Sequence, residues 1–155
     1  MQQREVIILI VTFCGHSQLA DKDIVRKHLT DEIYELLRTG YRKFYLGGYG
    51  DFDNLAAAVL TELKDAYPDM ERILILPYLD KQVDTSLYTG TLYPPLENVP
   101  KRFAISRRNK WVVEQSSVIV AYVDHSWGGA VKTLEHAVKK GLRIINLGGY
   151  QYDEM

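Results

Sequence analysis

Two glycine turns carry the sequence's most suggestive chemistry. Gly47-Gly48-Tyr49-Gly50 and Gly128-Gly129 each end a strand-like run and lead into a helical pattern. Glycine lets the main chain approach a ligand closely, and a helix N-terminus offers free N–H groups and a partial positive charge to an anion. Two such turns at equivalent places in one sheet point to a site for a phosphate-bearing small molecule. Arg108 opens another helical stretch, with Asn109 beside it. A guanidinium there suits a bidentate phosphate clamp, and Arg107 is the other holder of that role. Glu135 lies in the first turns of the helix after Gly128-Gly129, two residues beyond Thr133. The helix dipole favours a carboxylate there whatever its task. As a functional group it would bind ribose hydroxyls or stabilise an oxocarbenium-like transition state.

The remaining candidates are less specific. Gly15-His16 closes the first strand, which places His16 nearer a site than His28 on a helix. A loop histidine serves as a hydrogen-bonding prop as often as it serves as an acid or base. Asp51 and Asp53 flank Phe52 after the first glycine turn. Asp53 reads more readily as a helix cap than either acid reads as a metal ligand, because no further ligand follows at a suitable spacing. No metal and no cofactor is expected. Cys14 reads as a small buried apolar residue. Of the eleven tyrosines, Tyr49, Tyr78, Tyr88, Tyr93 and Tyr122 fall near strand ends or on a long loop. Their rings could stack on a base, although packing accounts for any one of them. Lys101, Arg102, Arg107, Arg108 and Lys110 suffice for a phosphate or two, but fall short of the basic stripe of a DNA-binding domain.

These residues hang on a regular alternation of elements. Strand-like runs cover Val6–Thr12, Lys43–Leu46, Arg72–Leu76, Val118–Val123 and Arg143–Leu147. Helical patterns run from a cap at Asp21 or Asp23 to Arg38, over Leu55–Ala66 with Asp53 or Asn54 as cap, over Ser106–Gln115 and over Val131–Lys140. Continuous β-branched runs without alternation are those of strands covered on both faces. Strands alternating with helices of this length imply right-handed crossovers. The expected fold is α/β: a Rossmann-like three-layer sandwich with a mostly parallel five-stranded sheet. At 155 residues it forms a single domain, residues 1–155. Asp80 to Phe103 interrupts the rhythm and reads as a surface excursion or a lid, with a short helix considered over Lys81–Leu87. In an open parallel sheet ligands bind beyond the carboxyl ends of the strands, where the glycine turns lie.

Composition narrows the function classes. A net charge of −1 provides no global attraction to nucleic acid or an anionic membrane. One cysteine excludes an internal disulfide. The apolar run behind Arg4 is too short for a membrane span and lacks a small-x-small cleavage signal, so a cytoplasmic location is expected. There is no G-x-x-x-x-G-K-[ST] and no G-x-G-x-x-G after the first strand, which argues against a P-loop NTPase and against ordinary NAD binding.

Gly47-Gly48-Tyr49-Gly50, Arg108-Asn109, and Gly128-Gly129 with Thr133-Leu134-Glu135 resemble the SLOG superfamily, which includes the LOG phosphoribohydrolases, the lysine decarboxylase-like proteins and DprA. Phe13-Cys14-Gly15-His16, Arg108 to Glu114 and Ala121-Tyr122-Val123 are similar to the YpsA/YoqJ-like bacterial and prophage proteins. The resemblance spans about Val6 to Leu147. It implies a nucleotide-like ligand bound by Gly15, His16, Gly47, Gly48, Tyr49, Gly50, Asp51, Arg108, Asn109, Gly128, Gly129, Thr133 and Glu135. It also implies catalysis by Glu135 and Arg108 if the chain is an enzyme releasing a base from a nucleoside 5′-monophosphate, and it suggests a homodimer. Asn109 stands where LOG proteins carry lysine, no proline precedes Gly128, and Ala130-Val131-Lys132 lengthens the spacer to Thr133. The order of readings is therefore a sensor or accessory domain binding a nucleotide-derived molecule, then N-glycosidic hydrolysis, then single-stranded DNA binding in the manner of DprA.

Overall fold

The computed structural model describes residues 9–80 and 82–150. Six strands, β1 (Ile10–Gly15), β2 (Lys43–Leu46), β3 (Glu71–Ile75), β4 (Gly90–Leu92), β5 (Val118–Tyr122) and β6 (Arg143–Asn146), form one sheet in the order β4-β3-β2-β1-β5-β6. Every neighbouring pair is parallel. Four helices complete the sandwich: α1 (Lys22–Arg38), α2 (Asp51–Glu62), α3 (Ala104–Gln115) and α4 (Gly129–Lys140). The Rossmann-like α/β expectation holds, and the sheet is wholly parallel.

The unbroken apolar run of β1 follows from the two layers that cover it. Val11 and Phe13 join Leu29, Ile33 and Phe52 in the core beneath α1 and α2. Cys14 points the other way, to Ile119, Val131 and Leu134 beneath α4. Side chains alternate across a strand, so apolar residues at both parities mean that both faces are buried. The first part of the expected strand, Val6 to Ile8, lies outside the described residues.

The helix boundaries follow local hydrogen bonding. Asp21 caps α1, its carboxylate accepting the Ile24 N–H at 3.3 Å. Gly141 ends α4 in the left-handed conformation at φ 79°. The start of α2 differs from the expectation: neither Asp53 nor Asn54 is the cap. Gly50 takes that position at φ 89°, ψ 170°, and the helix begins at Asp51.

The stretch from Asp80 to Phe103 holds the sixth strand. β4 adds to the edge of the sheet beside β3, and buried Arg72 ties the connection down, its Nε donating to Leu87 O at 2.9 Å and its N–H to Thr89 Oγ1 at 2.8 Å. Three residues, Gly-Thr-Leu, carry no strand pattern of their own; pairing with β3 makes the strand. The helix considered over Lys81–Leu87 is absent among its described residues, 82–87. Asp84 instead accepts the Ser86 N–H at 2.9 Å, a local bond that competes with helix formation.

The sheet order also fixes where a ligand belongs. β1 to β4 are laid down in one direction and β5 and β6 in the other, so the strand order reverses between β1 and β5. Connections leave these two strands on opposite sides, opening a crevice beyond their carboxyl ends.

Candidate functional site

A cleft of about 520 Å³ occupies this switch point. Gly15 to Gln18 form one side of it, and His125 with Trp127 to Ala130 form another. Tyr49, Asp53, Arg108, Asn109 and Thr133 also line it, with Phe13, Cys14 and Ile105. The volume falls within the range of small-molecule sites, roughly 300–1,000 Å³.

The start of α4 borders the cleft through Gly128, Gly129 and Ala130. Gly128 caps it at φ 99°, ψ 174°, without a side-chain hydrogen bond and without an acidic residue in the first turn. A Cβ built on Gly128 or Gly129 would meet nothing within 4 Å. The turn is therefore sterically open, and Thr133 Oγ1 donates to Gly129 O at 3.1 Å. Bare N–H groups with the positive end of the helix dipole attract anions.

The start of α2 is closed. A Cβ on Gly50 would lie 2.8 Å from Ser17 Cα, the Asp51 N–H donates to Ser17 O at 2.9 Å, and Asp51 Oδ2 accepts the Leu19 N–H at 2.9 Å. Gly50 and Asp51 thus bind the loop after β1 and do not line the cleft. Gly47 and Gly48 line a separate hollow of about 240 Å³ with Tyr88. Gly148 serves packing as well, since a Cβ there would overlap the Val123 backbone at 2.5 Å.

Arg108 is buried, with a relative exposure of 5%. Its Nη1 donates to Gly47 O at 3.1 Å and Ile75 O at 2.9 Å, joining the ends of β2 and β3, and Nε donates to Asn109 Oδ1 at 2.9 Å. Burial lowers its pKa, opposed by nearby Asp53, but a guanidinium stays protonated regardless. Asp53, beside it in the cleft wall, has an Oδ1 that is buried without a hydrogen-bond partner. Burial raises its pKa to about 6, against the pull of Arg108 and the Tyr49 N–H. Burial likewise pushes the Cys14 thiol far up, leaving it an unreactive part of the wall.

A column of rings stands beside α4. His16 stacks on His125 with centroids 3.5 Å apart and planes 8° apart, and His125 stacks on Trp127 at 3.9 Å. His16 Nε2 accepts the Asp124 N–H at 3.0 Å, and His125 Nδ1 contacts Asp124 Oδ1 at 2.6 Å. Burial and His125 lower the pKa of His16, while Asp124 raises it. The donor atoms of His16, Asp124 and His125 lie within 4.8 Å of one another. The parallel rings nevertheless aim their lone pairs side by side rather than at a common point, so the trio is a hydrogen-bonded stack and not a formed chelate. Trp127 ends the column at the cleft with 69% of its surface exposed, and Tyr49 at the rim is 74% exposed.

Of the residues singled out in the sequence, the cleft gathers Gly15, His16, Tyr49, Arg108, Asn109, Gly128, Gly129 and Thr133. Glu135 is exposed on α4 and does not line it. None of the described residues between Asp80 and Phe103 lines it either. Asp53, His125 and Trp127 also line the cleft, although none of them stood out individually as a ligand-binding residue. Asp53 looked like a cap, and nothing local marks the loop after β5 as the end of a ring stack.

No family model and no curated protein matches the chain. Solved structures do match in fold. TM1055, a structural genomics target, is 18% identical with a TM-score of 0.63, over 91% of this chain and 75% of its own. DNA processing protein A from Helicobacter pylori, described with a single-stranded DNA binding mode, is 18% identical with a TM-score of 0.63, over 95% and 68%. The molybdenum cofactor carrier protein from Chlamydomonas reinhardtii is 16% identical with a TM-score of 0.61, over 90% and 76%. The chain thus shares the Rossmann-like fold of these structures. No helix among the described residues is long and apolar enough to cross a membrane.

Proposed function

We propose that this chain binds a nucleotide or nucleotide-derived, phosphate-bearing small molecule in the switch-point cleft, as a sensor or accessory domain. The observation that carries this reading is the uncapped, sterically open start of α4 at Gly128-Gly129 inside a cleft of single-ligand size. The phosphate sits on the N–H groups there, and the exposed faces of Trp127 and Tyr49 offer planar surfaces for a base. Stacking of this kind contributes about 1–3 kcal/mol per base. Fold relatives named for a molybdenum cofactor or for single-stranded DNA support a phosphate-bearing ligand class, as does the similarity to YpsA/YoqJ-like proteins.

A single nucleotide is favoured over a DNA strand by the net charge of −1 and by the bounded cleft. Hydrolysis ranks second, because Glu135 lies outside the lining. Thermal-shift titration against mono-, di- and cyclic nucleotides tests the reading. A ligand at 100 times its Kd is expected to stabilise the fold by about 2.7 kcal/mol, and Trp127→Ala is expected to weaken that shift for nucleotides but not for inorganic phosphate. A melt that no phosphate compound moves would overturn it. Release of free base, lost in Glu135→Gln, would promote the enzymatic reading instead.

A further inference from the structure

One feature of the cleft is explained neither by packing nor by an anion at α4. Asp53 and Arg108 both line the cleft and both pack against Gly47, whose built Cβ would lie 2.9 Å from Asp53 Oδ2 and 3.3 Å from Arg108 Nη2. Yet no ion pair joins the two side chains among the described residues, and the guanidinium's hydrogen bonds to the fold use Nη1 and Nε. Asp53 Oδ1 has no protein partner at all. Gly47 is not at a positive φ, so the backbone does not demand glycine; the space beside it does. A buried carboxylate oxygen without a partner beside a buried guanidinium is an expensive arrangement unless a third group completes the pair.

We propose that Asp53 and Arg108 form a hydroxyl-reading subsite in the wall of the cleft, which selects a ribose-type hydroxyl on the phosphate ester bound there. It rests on the phosphate-ester reading above. A hydroxyl is the group that fits, because it donates to the carboxylate and accepts from Nη2 at the same time, each at about 2.8–3.0 Å. A second phosphate is disfavoured by the carboxylate, and an ammonium by the guanidinium. The raised pKa of Asp53 adds versatility, since a carboxyl close to its protonation midpoint can also donate to the hydroxyl oxygen.

The test uses the four ribonucleoside 5′-monophosphates, their 2′-deoxy and 3′-deoxy counterparts and inorganic phosphate, titrated calorimetrically into wild type, Asp53→Asn and Gly47→Ala. Asp53→Asn keeps the shape of the side chain and removes a buried charge, so it is expected to fold. Wild type is expected to bind the ribo form of its preferred nucleotide at least tenfold more tightly than one of the two deoxy forms. Both variants are expected to lose that preference while retaining the affinity for inorganic phosphate. Equal binding of ribo and deoxy forms by wild type, or an unchanged preference in Asp53→Asn, would overturn the subsite and leave the phosphate reading standing. Absence of binding by every probe would overturn both.

Discussion

The two helix starts have almost the same backbone and opposite surroundings. Gly50 begins α2 at φ 89°, ψ 170°, and Gly128 begins α4 at φ 99°, ψ 174°; neither makes a side-chain cap. Around Gly50 the loop after β1 closes in, Ser17 touches the turn, and Asp51 and Asp53 supply negative charge in the first turn. At Gly128 a built Cβ meets nothing within 4 Å, and no acid lies in the first turn of α4. A glycine turn before a helix therefore reports a backbone conformation. Whether it also accepts an anion depends on what a distant segment places over it, here Ser17 to Leu19 for one helix and open cleft for the other.

That contrast can be broken by adding one methyl group at a time. Gly50→Ala is expected to be the most damaging change, because an almost glycine-only conformation, which costs about 1–3 kcal/mol for other residues, combines with backbone overlap at Ser17. A loss of at least about 3 kcal/mol in denaturant melts is expected, and a loss under 1 kcal/mol would contradict the closed reading.

Asp53, in the first turn of α2, provides the next effect through pH. Its folded-state pKa of about 6 lies above the ordinary 3.8, so the folded protein holds more protons than the unfolded chain between those values. Stability is then expected to fall as pH rises from about 4 to 6, by up to about 3 kcal/mol. Arg108, Cys14 and Tyr88 are the titratable groups coupled to it. His16, with its pKa below 6.5, acts in the opposite sense, losing stability as pH falls. It is common to both proteins, so the difference between wild type and Asp53→Asn isolates the carboxyl. Parallel stability–pH curves for the two would remove it.

The open helix start gives the smaller effects. Gly128→Ala shares the strained conformation but meets no atom, so about 2 kcal/mol is expected, less than at Gly50. Gly129→Ala has neither strain nor contact and is expected to change stability by no more than about 0.5 kcal/mol. A Gly129→Ala loss as large as that at Gly50 would show the start of α4 to be packed after all.

The same contrast explains what the sequence could show. β1, β2, β3 and β5 announce themselves through β-branched and aromatic runs whose burial is dictated by their own side chains. β4 does not, since three residues acquire strand structure only from β3. Arg108 was legible as a candidate site arginine by type and place, but its partners, the Gly47 and Ile75 carbonyls, are 61 and 33 residues away. Asp53 misled because an acid after a glycine turn fits a cap locally, and only burial against Arg108 gives it another character. Trp127 did not stand out within the loop after β5 for a related reason: its support, the rings of His125 and His16, is assembled across β1 and β5.

The most direct measurement is amide chemical-shift mapping by NMR during titration with a nucleoside 5′-monophosphate, with inorganic phosphate as control. The largest shared perturbations are expected at the N–H groups of Gly128, Gly129 and Ala130, with Gly50 and Asp51 nearly still. Perturbations centred on Gly50 to Phe52, or none at the start of α4, would contradict the assignment of the phosphate to the open helix.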